Sequence, residues 1–253
     1  MAGPVLVGNI VRVVGVRMSM RVEIWSDVVC PWCYIGKRRF ESALAEFEHA
    51  DDVEVIWRSF ELDPSAPPSP ATAGGHTAAL AKKFGTDEAS VRAMFERVTA
   101  VAAGEGLDFH FELSRSGNTF DAHRLLHLAK SRGIQDQVKE AFDDATFTKG
   151  LAVSDHQEMT EVAVASGLPR ADVARVLASD EFADDVRADE ALAQAHGIRG
   201  VPFFAIDDRI GVSGAQESAE ILAALRQAES TQVPAAVAAN SGEICDGDNP
   251  QAC

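Results

Sequence analysis

The residues best suited to chemistry are Cys30-Pro31-Trp32-Cys33, two thiols separated by two residues. A dithiol centre needs one cysteine that ionises near neutral pH and a second close enough to close a disulfide. The first turn of a helix supplies both, because its unpaired N–H groups favour negative charge. Cys30 is therefore expected to ionise more readily than a free thiol, whose pKa is ~8.5, and to act as the attacking nucleophile. Cys33, one turn further in, is expected to be the buried resolving thiol. Pro31 and Trp32 complete the active-site dipeptide. Zinc held by Cys30, Cys33, Cys245 and Cys253 is the competing use of these thiols. Zinc pairs usually have two to four intervening residues, whereas Cys245 and Cys253 have seven. No metal is expected here.

A second feature is Gly200-Val201-Pro202-Phe203, directly before a strand-like run. A proline is sterically tolerated where it starts a strand. A cis Val201–Pro202 bond is the sharper alternative, since proline reduces the preference for trans to about 0.5–1 kcal/mol. It would offer the Val201 backbone to an extended substrate facing the dithiol. Asp27 and Glu61 are candidate proton acceptors for Cys33. His123 and His127 are four apart on one helical face, a metal pair without an evident third ligand. Asp27, Asn118, His123 and Arg124 are candidate cleft-lining residues. Trp57 and Phe60 read as core.

These residues need elements to position them. Val22 to Ser26 reads as a buried strand, Pro31 to about His49 as a helix with Phe40, Leu44 and Phe47 on one face, and Val53 to Phe60 as a second strand. Pro64 to Gly75 breaks regular structure. From there to Gly197 the pattern is helical, with five or six helices expected. Asn118 is a candidate helix cap, and Ser154 with Gln157 has capping-box spacing. Phe203 to Ile206 and Arg209 to Val212 read as a hairpin. Ser213 with Gln216 opens a final helix carrying Ile221, Leu222 and Leu225. The reading is an α/β fold, β-α-β … β-β-α, interrupted by an all-helical insertion. The expected divisions are an N-terminal extension over 1–19, an α/β domain from 20–64 plus 197–229, an insertion over 65–196, and a flexible tail over 230–253.

The bulk composition agrees with a folded domain: 46% hydrophobic and 25% charged residues over 253 positions. The formal charge of -16 repels phosphate backbones and anionic membranes, so neither nucleic acid nor membrane is an expected partner. No run approaches the ~20 apolar residues of a membrane span. Arg12 breaks the apolar stretch from Pro4 to Val16 and no small-residue cleavage site follows, so an exported signal is not expected. Met18 and Met20 are alternative starts. The expected location is cytoplasmic.

The segment Ser26-Asp27-Val28-Val29-Cys30-Pro31-Trp32-Cys33-Tyr34-Ile35-Gly36 resembles the active-site signature of the DsbA-like thioredoxin-fold oxidoreductases, FrnE subgroup. Gly197-Ile198-Arg199-Gly200-Val201-Pro202-Phe203-Phe204 is similar to that family's cis-proline segment. Asn118-Thr119 and Ala122-His123-Arg124 are similar to a segment of the subgroup's helical insertion. The resemblance, covering about residues 20 to 229, implies a thioredoxin-like fold, a cis Pro202 and dithiol–disulfide exchange. Trp32 departs from strongly oxidising periplasmic members, which carry histidine there. Relatives acting as glutathione-dependent isomerases or kappa-class transferases carry serine where Cys30 stands.

The implied partners are proteins or low-molecular-weight compounds bearing thiols or disulfides. No tightly bound cofactor is expected, with glutathione a candidate co-substrate. Some subgroup members also resemble this chain in a second C-terminal cysteine pair, making Cys245 and Cys253 a candidate auxiliary redox pair. A local disulfide or two solvated thiols is the alternative. The rival activities are a glutathione-dependent isomerase or transferase and a thiol-based metal-holding or redox-sensing adaptor. Oligomeric state stays open.

Overall fold

The computed structural model describes residues 19–67, 75–115 and 117–232. Strand β1 (Met20–Ser26) is followed by helix α1 (Pro31–Ala45) and strand β2 (Val53–Ser59). β1 and β2 run parallel, as a helical crossover requires, with Ile24 opposite Trp57. Strands β3 (Phe203–Ile206) and β4 (Ile210–Ser213) complete the sheet in the order β2-β1-β3-β4. β3 is antiparallel to both β1 and β4. The hairpin turn holds Asp207 and Asp208 at positive φ, so β4 begins at Ile210 and not at Arg209.

The sheet is covered on both faces. Val22 and Ile24 of β1 meet Phe40 and Ala43 of α1 and Ile221 and Leu225 of α9 (Ser218–Gln232). Trp25, pointing the other way by strand alternation, packs with Ala193, Ile198 and Ala205. Helix α8 (Ala183–Ala195) is tied to that face by Asp189, whose carboxylate accepts from Arg58 Nη1 and the Ser59 N–H.

Between β2 and β3 lie α2 (Gly75–Phe84), α3 (Glu88–Gly104), α4 (Phe120–Ser131), α5 (Gln135–Lys149), α6 (His156–Ala165), α7 (Arg170–Leu177) and α8. The helical region thus has seven helices among the described residues, not five or six. α5 escapes a periodicity reading because Lys139 and Asp143 interrupt its buried stripe, paired with each other where water is excluded. α2 escapes because Ala81 alone of its residues is buried.

Three other local expectations are corrected. α1 ends at Ala45, short of His49. α6 is capped by Asp155, which accepts from the Gln157 and Glu158 N–H groups, and not by Ser154. Gln216 donates its side chain to the Ser213 carbonyl two residues before α9 starts, so this pair does not cap a helix.

The helices grip the start of α1 from two sides. Val28, fully buried, belongs to the helical core with Leu125, Phe142 and Met159. Tyr34 and Ile35 of α1 belong to a second cluster with Val98, Phe109 and Phe147. Burying side chains of this size is worth about 1.5–3 kcal/mol each. The segment carrying both thiols is therefore fixed by packing as well as by the sheet.

Candidate active site

Cys30 is the N-cap of α1, in extended conformation, and Pro31 occupies the first helical turn. The Cys30 N–H donates to the Asp27 carbonyl at 3.2 Å, and the Cys33 N–H to the Cys30 carbonyl at 2.9 Å. Both thiols are free and buried, while Trp32 between them is 40% exposed. The Cys30 thiol donates to the Val201 carbonyl at 3.5 Å. The Val201–Pro202 bond is cis. The Pro202 carbonyl accepts from the Gly214 N–H at 2.8 Å, which anchors the loop to the end of β4. Residues 171 positions apart thus meet at one sulfur.

The surroundings of Cys30 oppose the helix-start effect. Its thiol is pushed well above the ordinary value, first by its hydrogen bond with the Cys33 sulfur, then by burial and by the charges of Cys33 and Asp27. The Cys33 backbone N–H pulls the other way, as a helix start should, but it is outweighed. Nor does the Cys30 side chain accept a capping hydrogen bond. Two thiols in contact give up their protons in two coupled steps. The proton left after the first step is held tightly by the pair.

Asp27 sits beneath this turn, with no solvent exposure. One carboxylate oxygen, Oδ2, accepts from the Leu62 N–H at 2.8 Å; the other, Oδ1, is 3.3 Å from His123 Nε2. α4 thus delivers His123 to the residue before Val28. Glu61 is buried beside Leu62, accepting from Asn118 Nδ2 at 3.2 Å and paired with Arg187 at 2.6 Å. Burial raises the Glu61 carboxyl above its ordinary value, partly offset by Arg187. Asn118 also accepts from the Phe120 N–H at 2.9 Å and so braces the start of α4.

Two other histidine-segment residues turn elsewhere. Arg124 does not line a cleft: its guanidinium donates to the carbonyls of Val176, Ser179 and Glu181 and pairs with Asp121, tying α4 to the end of α7. His127 Nε2 faces both Ser59 Oγ and Asp189 Oδ2, each at 3.1 Å. Because one ring nitrogen serves both partners, this is no relay of the serine-protease kind, which uses the two nitrogens separately. Trp57 is buried, with its indole N–H on Asp136, and Phe60 packs against the Trp25 cluster. Cys245 and Cys253 lie outside the described residues.

Sequence reasoning missed three residues that shape the site. Val28 anchors the turn in the helical core, Leu62 holds Asp27 through its backbone, and Gly36 admits Pro202. The glycine two residues past Tyr34 was a readable signal of close approach; the other two depend on contacts that no local pattern records.

The model of the DSBA-like thioredoxin domain matches residues 21–226. The protein YwbO of Bacillus subtilis (strain 168) is 29% identical over 197 residues, 76% of this chain and 90% of that protein. The crystal structure of a probable DsbA oxidoreductase from Streptomyces coelicolor is 42% identical, covers 92% of this chain and 97% of its own, and superposes with a TM-score of 0.81. The cytosolic disulfide reductase DsbM of Pseudomonas aeruginosa, with GSH, shares the fold at 14% identity and a TM-score of 0.55, covering 83% of this chain and 96% of its own.

Proposed function

For a chain that belongs to the DSBA-like thioredoxin domain family, we propose dithiol–disulfide exchange through Cys30 and Cys33, on partners that carry thiols or disulfides. The observation that carries this reading is the 3.5 Å contact of the Cys30 sulfur with the Val201 carbonyl, beside cis Pro202 and a second free thiol. In the reductive direction the Cys30 thiolate attacks a substrate disulfide and expels one substrate sulfur as a thiolate. Val201 and Pro202 border the substrate backbone. Cys33 then attacks Cys30, closes the 30–33 bond and expels the second substrate sulfur. The reverse sequence oxidises a substrate dithiol.

Glutathione is proposed as the small-thiol co-substrate; the similar fold of DsbM, described with GSH, supports the choice. We place the protein in the FrnE subgroup on its Cys-Pro-Trp-Cys motif and in the cytoplasm. Among the described residues no helix is long and apolar enough to cross a membrane.

The test is capture with Cys33→Ser, which cannot resolve its mixed disulfide. Covalent adducts on Cys30 that dithiothreitol releases are expected, together with loss of insulin reduction in Cys30→Ala. Retained activity in Cys30→Ala would overturn the reading.

A further inference from the structure

The loop that carries Val201 also carries a cation without a counter-charge. Arg199 is exposed and, among the described residues, has no hydrogen bond or ion pair. In a chain of 39 acidic and 23 basic residues such a cation is conspicuous. Lys82, Arg97 and Lys130 share the condition, but they stand on α2, α3 and α4, outside the two segments that meet at the Cys30 sulfur. Carboxylates on the elements around the loop are already held. Arg187 engages Glu61 and Glu190, Arg58 engages Asp189, and Arg39 engages Glu217.

The backbone on either side of Arg199 is fixed. Ile198 is buried in the Trp25 cluster, and its N–H donates to the Ala193 carbonyl at 2.9 Å. Pro202 is buried and anchored through the Gly214 N–H. Between them, a Cβ added to Gly200 would meet nothing within 4 Å, so the loop faces open space there. The N–H groups of Arg199, Gly200 and Val201 make no backbone hydrogen bond among the described residues, which leaves them to an incoming chain. Two peptide steps of ~3.8 Å put the Arg199 Cα at most about 7.6 Å from that of Val201, whose carbonyl meets the Cys30 sulfur. A substrate group two residues from the attacked sulfur lies within about 7 Å of it along the chain. The two spans match.

Resting on the exchange reading, we infer that Arg199 is a specificity-determining residue, selecting disulfides that bear a carboxylate one or two residues from the attacked sulfur. Glutathione disulfides belong to this class, since a glycine carboxylate follows the cysteine, and so do proteins with Asp or Glu beside a reactive cysteine. The planar guanidinium matches a carboxylate with two parallel hydrogen bonds. Arg199 exchanges neither proton nor electron. While it holds the carboxylate, the Cys30 thiolate forms a bond to the near sulfur. The substrate S–S bond breaks, and the far sulfur leaves as a thiolate with the electron pair. The formal charge of -16 repels acidic partners at long range, so their selection depends on a cation at the site itself.

The test compares matched probes on reduced full-length protein. Peptides carry one cysteine as a mixed disulfide with an aromatic thiol. They differ only in Glu or Gln two residues away, before the cysteine in one pair and after it in another. Oxidised glutathione and its diester, blocked at the glycine carboxylates, form the small-molecule pair. Rates of attack by Cys30 are read from aromatic thiolate release, or from rapid-quench alkylation and mass spectrometry for glutathione. The quantity compared is the acidic-to-neutral rate ratio within each pair. An opposite-charge pair of this kind is worth up to about fivefold. Arg199→Gln should lower the ratio about fivefold and Arg199→Glu should lower it further. Arg199→Lys, which keeps the charge, should retain at least half of it. A fall confined to the peptides assigns protein partners; one confined to glutathione assigns the small thiol. Ratios unchanged in every pair overturn the inference. So does equal slowing of acidic and neutral probes, the mark of a loosened loop. If wild-type Cys30 attacks none of the probes, it is the exchange reading that falls.

Discussion

Gly36 and Pro202 touch across the site: a Cβ placed on Gly36 would lie 2.9 Å from Pro202 Cγ. The helix carrying both thiols and the loop carrying the cis bond are thus as close as a missing side chain allows. Gly36→Ala would gain up to about 1 kcal/mol of helix propensity. The rigid pyrrolidine ring cannot yield, and overpacking of this kind costs about 1–3 kcal/mol. The expected result is a net loss of stability in urea titration, with insulin reduction falling as Val201 moves away from Cys30.

Removing Cys33 should make Cys30 easier to ionise. The Cys33 sulfur is the largest influence raising the Cys30 thiol, and Cys33→Ala deletes it while keeping the helix-start N–H that opposes it. Iodoacetamide alkylation of Cys30, followed by mass spectrometry across pH, should show its inflection at lower pH in Cys33→Ala than the second inflection of the wild-type pair. An unchanged inflection would mean that burial, not the partner sulfur, governs this thiol.

Trp32 sets an expectation for redox poise. An exposed indole supplies no positive charge to stabilise a thiolate, so the reduction potential should lie between about −270 mV for thioredoxin and about −120 mV for DsbA. Trp32→His adds a group that can be cationic beside Cys30, favours the thiolate, and should shift the potential upward. Equilibration in glutathione buffers, read by alkylation, measures both values.

Glu140 gives the fold a signature in acid. Burial pushes its carboxyl up, but hydrogen bonds from Arg38 and Tyr34 and the charge of Lys37 prevail and hold it down to about 2. A carboxylate depressed in the folded state contributes stability above its ordinary value of 4.5, and that contribution is lost as pH falls toward about 2. The site is half-buried, so solvent screening limits the effect to about 1 kcal/mol. Glu140→Gln should therefore be less stable than the wild type at pH 7, with the gap closing between pH 4.5 and 2 in chemical denaturation.

Much of the frame was legible because its signals are local. The strand–helix–strand opening, the hairpin and the final helix each announce themselves by alternation or by an apolar stripe, and they place Cys30 at a helix start. The paired thiols and Pro202 were readable as a candidate site for the same reason. What stayed hidden depends on distant partners. Nothing near His123 says that its ring meets Asp27, and nothing near Arg124 says that its guanidinium is spent on the carbonyls of Val176, Ser179 and Glu181. Cys30 shows the same divide: the helix-start effect is local, while the opposing burial and sulfur contact are properties of the closed fold.

The sheet order has a consequence for biosynthesis. β1 sits between β2 and β3, yet β3 and Val201 are translated some 171 residues after Cys30. On the ribosome the two thiols therefore emerge long before the loop that will cover them, without their carbonyl neighbour and with one edge of β1 unpaired. A nascent chain passes through an interval in which its reactive sulfurs are open to any oxidant or stray partner. Completion of the last quarter of the polypeptide ends that exposure.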